Sequence, residues 1–277
     1  WSLFKKLIDL KIPIIFVRFL LFWYTNQNYC VQWAGLISEK FSATNGVNQG
    51  GILSPQLFNI FMNELSIQLR NAGFGCIVSN AIVNHFLYAD DLTLMCPSVK
   101  GLQKLINICA SYAKDNFIIF NDKKSFCMSF KSGKTLNVLG EPNLYLYDKK
   151  LKFTSSHKYL GFIVSDSSDN FDISRQLRSF ITRTNMLIRS FSKCSLEVKL
   201  QLFNSFCVNM YCIQLWSNYH SSVYKKFQIV YNNGLRKLLG LSKYCSASGM
   251  FAYCKIDSLQ EIIRKSVYKF IQRLYNS

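Results

Sequence analysis

Apolar positions change period several times along this 277-residue chain, and each change marks an element. In "SLFKKLIDLK" (2–11), Leu3, Leu7 and Leu10 fall at helical intervals, and Pro13 ends that helix because it lacks the N–H needed to continue it. A second apolar helix is expected over 14–25. "NYCVQWAGLISEKFSA" alternates loosely and predicts a hairpin. "TNGVNQGGILSP" then gathers Gly46, Gly50, Gly51 and Pro55 into a loop that needs unusual backbone angles or close approach by a ligand. It runs into "QLFNIFMNELSIQLR", where Leu57, Phe58, Phe61, Leu65 and Leu69 mark an amphipathic helix. In "HFLYADDLTLMC" two short β-prone arms flank Ala89, Asp90 and Asp91, predicting a hairpin with acids near its turn. "GLQKLINICASYAKDN" returns to helical spacing, and a strand is expected between it and "NDKKSFCMSF". "HKYLGFIVSD" reads as part of one more hairpin.

From about Asp166 the texture is helical only. At roughly 100° per residue, Ile173, Leu177, Phe180, Leu187 and Phe191 share one face of a helix, and Arg175, Arg178 and Arg189 cluster opposite. A solvated face explains one such helix, but arginines without acid partners after Asp172 also suit a sugar-phosphate backbone. No repeat or low-complexity tract interrupts the pattern. The chain is therefore expected to be α+β over residues 1–165 and α-helical over 166–277.

Composition sharpens this. Hydrophobic residues make up 49% and mean hydropathy is +0.09, which suits a globular chain with a large core. The formal charge is +18, pointing to a polyanionic partner, either nucleic acid or an anionic surface. The longest apolar run, "IPIIFVRFLLFWY", is too short to span a bilayer and carries Arg18, so no membrane span is expected. Ten cysteines form no CxxC pair and three histidines are scattered, so a zinc site is not indicated and a reducing compartment is.

The candidate chemistry sits in the acidic hairpin. Two adjacent carboxylates repel each other unless a cation lies between them, and Mg²⁺ prefers carboxylate oxygens, water and substrate phosphate. Alone, Asp90 and Asp91 also fit an ordinary solvated turn. Joined to its surroundings the hairpin resembles the reverse transcriptase palm, especially that of non-LTR retrotransposons. "NGVNQGGILSPQLFNIFMNEL" is similar to that family's Gly-Val-x-Gln-Gly-x-x-Leu-Ser-Pro-x-Leu-Phe-Asn run, and "YADD" to its aromatic-Ala-Asp-Asp tetrad. "FNDKKSFCMSF" resembles its Asn-x-x-Lys-Ser/Thr motif, and "YLGFIVSD" the strand that grips the primer end. The motifs are specific over 45–165, and the helical region beyond resembles a thumb with a C-terminal extension.

The resemblance implies an RNA-directed DNA polymerase using two Mg²⁺ ions, dNTPs, an RNA template and a DNA primer, intracellular and nuclear during integration. Asp90 and Asp91 would be catalytic metal ligands, because two ions about 4 Å apart activate the primer oxygen and neutralise pyrophosphate. Lys124 would balance or protonate the pyrophosphate, with plain solvation as its ordinary role. Gln49, Gly50 and Gly51 would lie against template or nucleotide; their ordinary roles are a helix-start hydrogen bond and a tight turn. Tyr88 would pack below the primer end or nucleotide, against the alternative of core packing. Leu160 and Gly161 would shape the primer grip. Arg175, Arg178 and Arg189 would track nucleic-acid backbone. The family carries a third metal-binding Asp in an Ala-Phe-Asp motif just before the helix that opens this chain, and Asp9 has no such motif around it. The expectation is an incomplete site and a missing fingers region. Two alternatives stay open: a catalytically silent nucleic-acid-binding relic, and a group II intron maturase.

Overall fold

The computed structural model describes residues 2–42, 46–130 and 142–276. Trp1, and Thr44 and Asn45 of the expected glycine loop, lie outside the described residues. In chain order the elements are α1 (Ser2–Asp9), α2 (Ile14–Thr25), β1 (Asn28–Tyr29), β2 (Gln32–Trp33), β3 (Leu36–Ile37), β4 (Phe41–Ser42) and α3 (Ser54–Asn71). Then come β5 (Cys76–Val78), β6 (Ala81–Val83), β7 (His85–Tyr88), β8 (Asp91–Leu94), α4 (Val99–Asp115) and β9 (Phe126–Cys127). They are followed by β10 (Tyr145–Leu146), β11 (Lys149–Lys150), β12 (Lys152–Phe153), β13 (Ser156–Tyr159), β14 (Phe162–Ser165) and α5 (Asn170–Ser190). The chain closes with α6 (Leu196–Leu202), a π-turn at Phe203–Cys207, a 3-10 turn at Ile213–Leu215, α7 (Ser221–Leu239), α8 (Ala247–Cys254) and α9 (Leu259–Tyr275).

Two compact units divide the chain: Trp1–Phe126 with Leu139–Lys152, and Cys127–Val138 with Phe153–Ser277. The first is built on α3, whose two flanks bury separate clusters. Leu57 meets Leu7, Val17 and Leu20 of α1 and α2. Met62, Leu65 and Leu69 meet Leu105, Cys109 and Tyr112 of α4, with Leu87, Leu92 and Leu94 of the β7–β8 hairpin packed against them. Lys6 crosses this layer, its Nζ 5.2 Å from the Tyr112 ring centre and paired with Glu64. The strands of this unit pair antiparallel: β1 with β4, β2 with β3, β5 with β6, β7 with β8 and β10 with β11.

The strand expected after α4 does not form. Phe117 takes a left-handed φ of +56° and the Ile118 N–H reaches back to the Ala113 carbonyl at 2.8 Å, so these residues close the helix. The Phe120 N–H goes to the Tyr147 hydroxyl (3.1 Å) and not to a neighbouring strand.

In the second unit, the β13–β14 hairpin precedes helices packed around Phe180. That ring sits 6.0 Å from Phe203, 6.0 Å from Phe227 and 5.2 Å from Tyr231, centre to centre. Ile173, Leu177, Phe180 and Leu187 line the buried face of α5 as their spacing predicts. Phe191 does not, because α5 ends at Ser190 and Phe191 caps it, 40% exposed. No helix among the described residues is long and apolar enough to cross a membrane.

Candidate active site

The acidic pair is placed by an anchor at the base of its hairpin. Asn84, just before β7, is buried and donates through Nδ2 to the carbonyls of Leu69, in the last turn of α3, and Phe74. With Nδ2 committed, Oδ1 faces His85 Nδ1 at 2.7 Å, so Nδ1 carries the proton and Nε2 is left to accept from Ser66 Oγ at 2.8 Å. Burial, and secondarily Arg70, lower the His85 pKa from its usual 6.5, which favours the neutral ring that this arrangement needs. The base of the hairpin is thereby tied to α3 by side-chain hydrogen bonds as well as by the Leu87, Leu92 and Leu94 contacts.

The tip is open. Tyr88 faces Asp91 across the ladder, and Ala89 and Asp90 make the two-residue turn, with Ala89 at a left-handed φ of +50°. A left-handed L-residue costs about 1–2 kcal/mol, so this turn is held by its anchored strands. Asp90 and Asp91 are both exposed, and neither is ion-paired among the described residues. Tyr88 is 63% exposed, which removes core packing as its role. As a partial shell this donor set fits a hard divalent ion, since Mg²⁺ takes one or two carboxylates and completes its shell with water and substrate phosphate. No cluster of three or more His, Cys, Asp or Glu able to hold a metal occurs among the described residues.

The glycine loop separates two causes. Gly50 has φ +80° and open space where a Cβ would point, so it answers to backbone conformation and leaves its surface accessible. A Cβ on Gly51 would sit 2.6 Å from Ser54 Oγ and 3.3 Å from the Asn48 carbonyl, so the tight entry into α3 explains it. Gln49 is exposed, lines a small pocket of about 160 Å³ with Tyr24, Gln27, Tyr29 and Asn48, and makes no helix-start hydrogen bond among the described residues.

Lys124 is presented by a turn that Asn121 builds. The Asn121 Oδ1 accepts from the backbone N–H of Lys123 (3.0 Å) and Lys124 (3.2 Å), and its carbonyl accepts from Ser125 Oγ (2.9 Å). Asp122 pairs with Lys149, leaving the Lys124 ammonium exposed and without an ion pair among the described residues. In the second unit, Leu160 and Gly161 form the β13–β14 turn with φ +45° and +86°.

The arginine face differs from its expectation. Arg178 and Arg189 are exposed, but Arg175 donates through Nε (2.8 Å) and Nη2 (2.6 Å) to Asp172. Asp172 is fully buried and also accepts from Ile163 N–H (3.1 Å) and Trp216 Nε1 (2.9 Å). Arg175 is thus committed to a buried carboxylate, because an uncompensated charge there would be costly. Arg183 is committed too, donating from Nη1 to the Asn209 carbonyl at 2.9 Å.

Comparison with known proteins decides what this arrangement belongs to. Residues 2–164 match the family described as reverse transcriptase (RNA-dependent DNA polymerase). The chain belongs to the reverse transcriptase family. It is 24% identical over 286 residues to the RNA-directed DNA polymerase from mobile element jockey of Drosophila funebris, covering 99% of this chain and 30% of that protein. It is 34% identical over 132 residues to a Pol polyprotein from a type-2 retrotransposable element of Drosophila melanogaster, covering 46% of this chain and 12% of that protein. The chain thus spans less than a third of these curated relatives. The reverse transcriptase match includes Gln49, Gly50, Gly51, Tyr88, Asp90, Asp91, Lys124, Leu160 and Gly161, and stops before α5.

Sequence reasoning missed the residues that hold the site rather than face it: Ser66, Asn84, Asn121 and Asp172. A signal existed for the last, since Asp172 and Arg175 stand three apart on a helix, the spacing at which opposite charges meet. Asn84 gave none, because its partners Leu69 and Phe74 are distant in sequence and are backbone groups.

Proposed function

We propose that this chain is the palm and thumb portion of an RNA-directed DNA polymerase from a non-LTR retrotransposon, with the palm over 1–165 and the thumb and its extension over 166–277. The observation that carries the reading is an exposed, anchored Asp90–Asp91 tip within the span that matches reverse transcriptases. The mobile-element relatives favour a retrotransposon over an intron maturase.

In this reading Asp90 and Asp91 would be ligands of two Mg²⁺ ions, which when bound would supply activation of the primer 3′-oxygen and neutralisation of the leaving pyrophosphate. The protein's own part is positioning. The Asn84–His85–Ser66 anchor keeps the two carboxylates at one place on a strand turn. Gly50 leaves backbone accessible for the nascent pair, Gln49 offers an unengaged amide to template or nucleotide, and Tyr88 offers an exposed ring beside the acids. Lys124 brings an ammonium with no ion pair among the described residues, which balances or protonates pyrophosphate. Leu160 and Gly161 take the primer end, and Arg178 and Arg189 take backbone phosphates of the RNA–DNA hybrid. Two carboxylates are a partial ligand set for two ions, so a third acid is expected from an Ala-Phe-Asp motif of the longer protein. The protein is intracellular and acts in the nucleus during integration.

The test is primer extension by the longer protein carrying Asp90→Ala. Extension should be lost with template binding nearly intact, since the change removes a metal ligand and no phosphate contact. Extension near the wild-type rate would refute the assignment.

A further inference from the structure

Residues 209–216 belong to none of the motifs read above and lie beyond the part of the chain that matches the family. The segment is nevertheless fixed to α5 at three points, two on its backbone and one through the Trp216 side chain. Arg183 donates to the Asn209 carbonyl (2.9 Å), Gln176 Nε2 to the Tyr211 carbonyl (2.7 Å), and Trp216 Nε1 to buried Asp172 (2.9 Å). On this rigid segment Tyr211 is 56% exposed. Its ring lies against the β13–β14 turn, where a Cβ on Gly161 would stand 3.1 Å from Tyr211 Cε1. The ring therefore uses space that only a glycine leaves. The turn is held from behind as well, because Ile163, two residues after Gly161, donates to Asp172. Leu160 is 37% exposed beside them.

We propose that Tyr211 and the Leu160–Gly161 turn form one contact surface for the end of a nucleic-acid strand, with the Tyr211 ring stacking on the terminal nucleotide of the primer. This deepens the polymerase reading and rests on it. Three features favour this ligand. An aromatic ring on a pinned backbone loses little conformational freedom on stacking, and stacking tolerates any base. Arg183 donates to the Asn209 carbonyl, two residues before Tyr211, so a guanidinium is held on the same segment. The chain carries a net charge of +18, which complements a polyanion.

The test uses the 277-residue chain and an RNA template–DNA primer hybrid carrying 2-aminopurine at the primer 3′ end, or well inside the duplex. Binding of the wild type should quench the terminal probe and not the internal one. Tyr211→Ala should abolish the terminal quenching and weaken binding of the recessed hybrid about tenfold, within the range for one stacked base. Tyr211→Phe should retain both, because stacking needs the ring and not the hydroxyl. Gly161→Ala should reproduce the loss by displacing the ring, which keeps the question open to test if Tyr211→Ala folds poorly. Tyr253→Ala, a change at a comparably exposed tyrosine on α8, should leave both signals as in wild type. Unchanged terminal quenching in a folded Tyr211→Ala chain that still binds the hybrid would overturn this proposal alone. Failure of the wild type to bind the hybrid at all would overturn the polymerase reading and this one with it.

Discussion

Arg175 offers a sharp test, because two accounts of the same residue predict opposite results. As a phosphate contact its loss should weaken nucleic-acid binding and leave the fold alone. As the partner of buried Asp172 its loss should weaken the fold and leave the salt dependence of binding alone. The structure favours the second: Asp172 is 0% exposed and takes two of its four hydrogen bonds from this guanidinium, whose side chain is only 25% exposed. Removing one partner of a fully buried ion pair costs about 3–5 kcal/mol. Here Trp216 and Ile163 still serve the carboxylate and the arginine is partly wet, so Arg175→Gln should cost about 2–3 kcal/mol, the loss of hydrogen bonds to a charged group. For a chain of this size that lowers the melting temperature by roughly 5–10 °C. Arg178→Gln, on the exposed surface, should cost at most about 0.5 kcal/mol.

Urea unfolding and fluorescence anisotropy over a salt series together separate the accounts. Each lost phosphate contact should flatten the plot of log K against log salt by about 0.9. Arg178→Gln and Arg189→Gln should each do so, and Arg175→Gln should not, because its charge is already met by Asp172. Asp172→Asn combined with Arg175→Gln should recover part of the lost stability, since no unpaired charge is then left buried. If Arg175→Gln unfolds like Arg178→Gln and flattens the salt plot as much, the clamp has no energetic weight and Arg175 belongs with the phosphate contacts.

The remaining predictions follow from the other parts of the site. The chain of 277 residues should show no template-dependent incorporation of labelled dNTP with Mg²⁺ or Mn²⁺, because two carboxylates are a partial set for two ions; incorporation would mean that a third ligand comes from within it. His85 has a lowered pKa when folded, so the unfolded chain binds the extra proton first, and stability should fall as pH drops below about 6.5. The fall should be smaller in His85→Gln, measured by urea unfolding across pH, and an equal fall would place the titrating group elsewhere. Cys109 is buried with its pKa pushed up to about 12, so a thiol reagent at neutral pH should spare it and label exposed Cys30 first; rapid labelling of Cys109 in the native chain would contradict its burial.

How far the sequence could be read follows from the range of the forces involved. The acidic hairpin and the glycine loop were legible because each is made by neighbours: alternation sets the strands, and a missing Cβ sets Gly50 and Gly51. The expected strand after α4 failed because helix closure by Phe117 and Ile118 competed for the same backbone groups, and alternation carries no information about a missing partner strand. Phe191 failed for a smaller reason, since one residue beyond a helix end the periodicity no longer applies.

Arg175 marks the deeper limit. On a helical wheel it falls on the same face as Arg178 and Arg189, and the local pattern separates it from them only by its spacing of three from Asp172. What separates them is Asp172, and what buries Asp172 is Trp216, forty-four residues away, together with the backbone of β14. A surface charge can be read from its own helix, whereas a buried one is defined by the set of donors around it. The same donors tie down β14 and the segment carrying Tyr211, so the arginine that least resembles a phosphate ligand in the folded chain is the one that fixes the surface proposed to meet the primer. Its contribution to binding should therefore come through the geometry of Tyr211: Arg175→Gln should reduce quenching of a terminal primer probe at every salt concentration, in proportion, with the slope unchanged. A loss of quenching that vanished at high salt would instead mark a direct ionic contact.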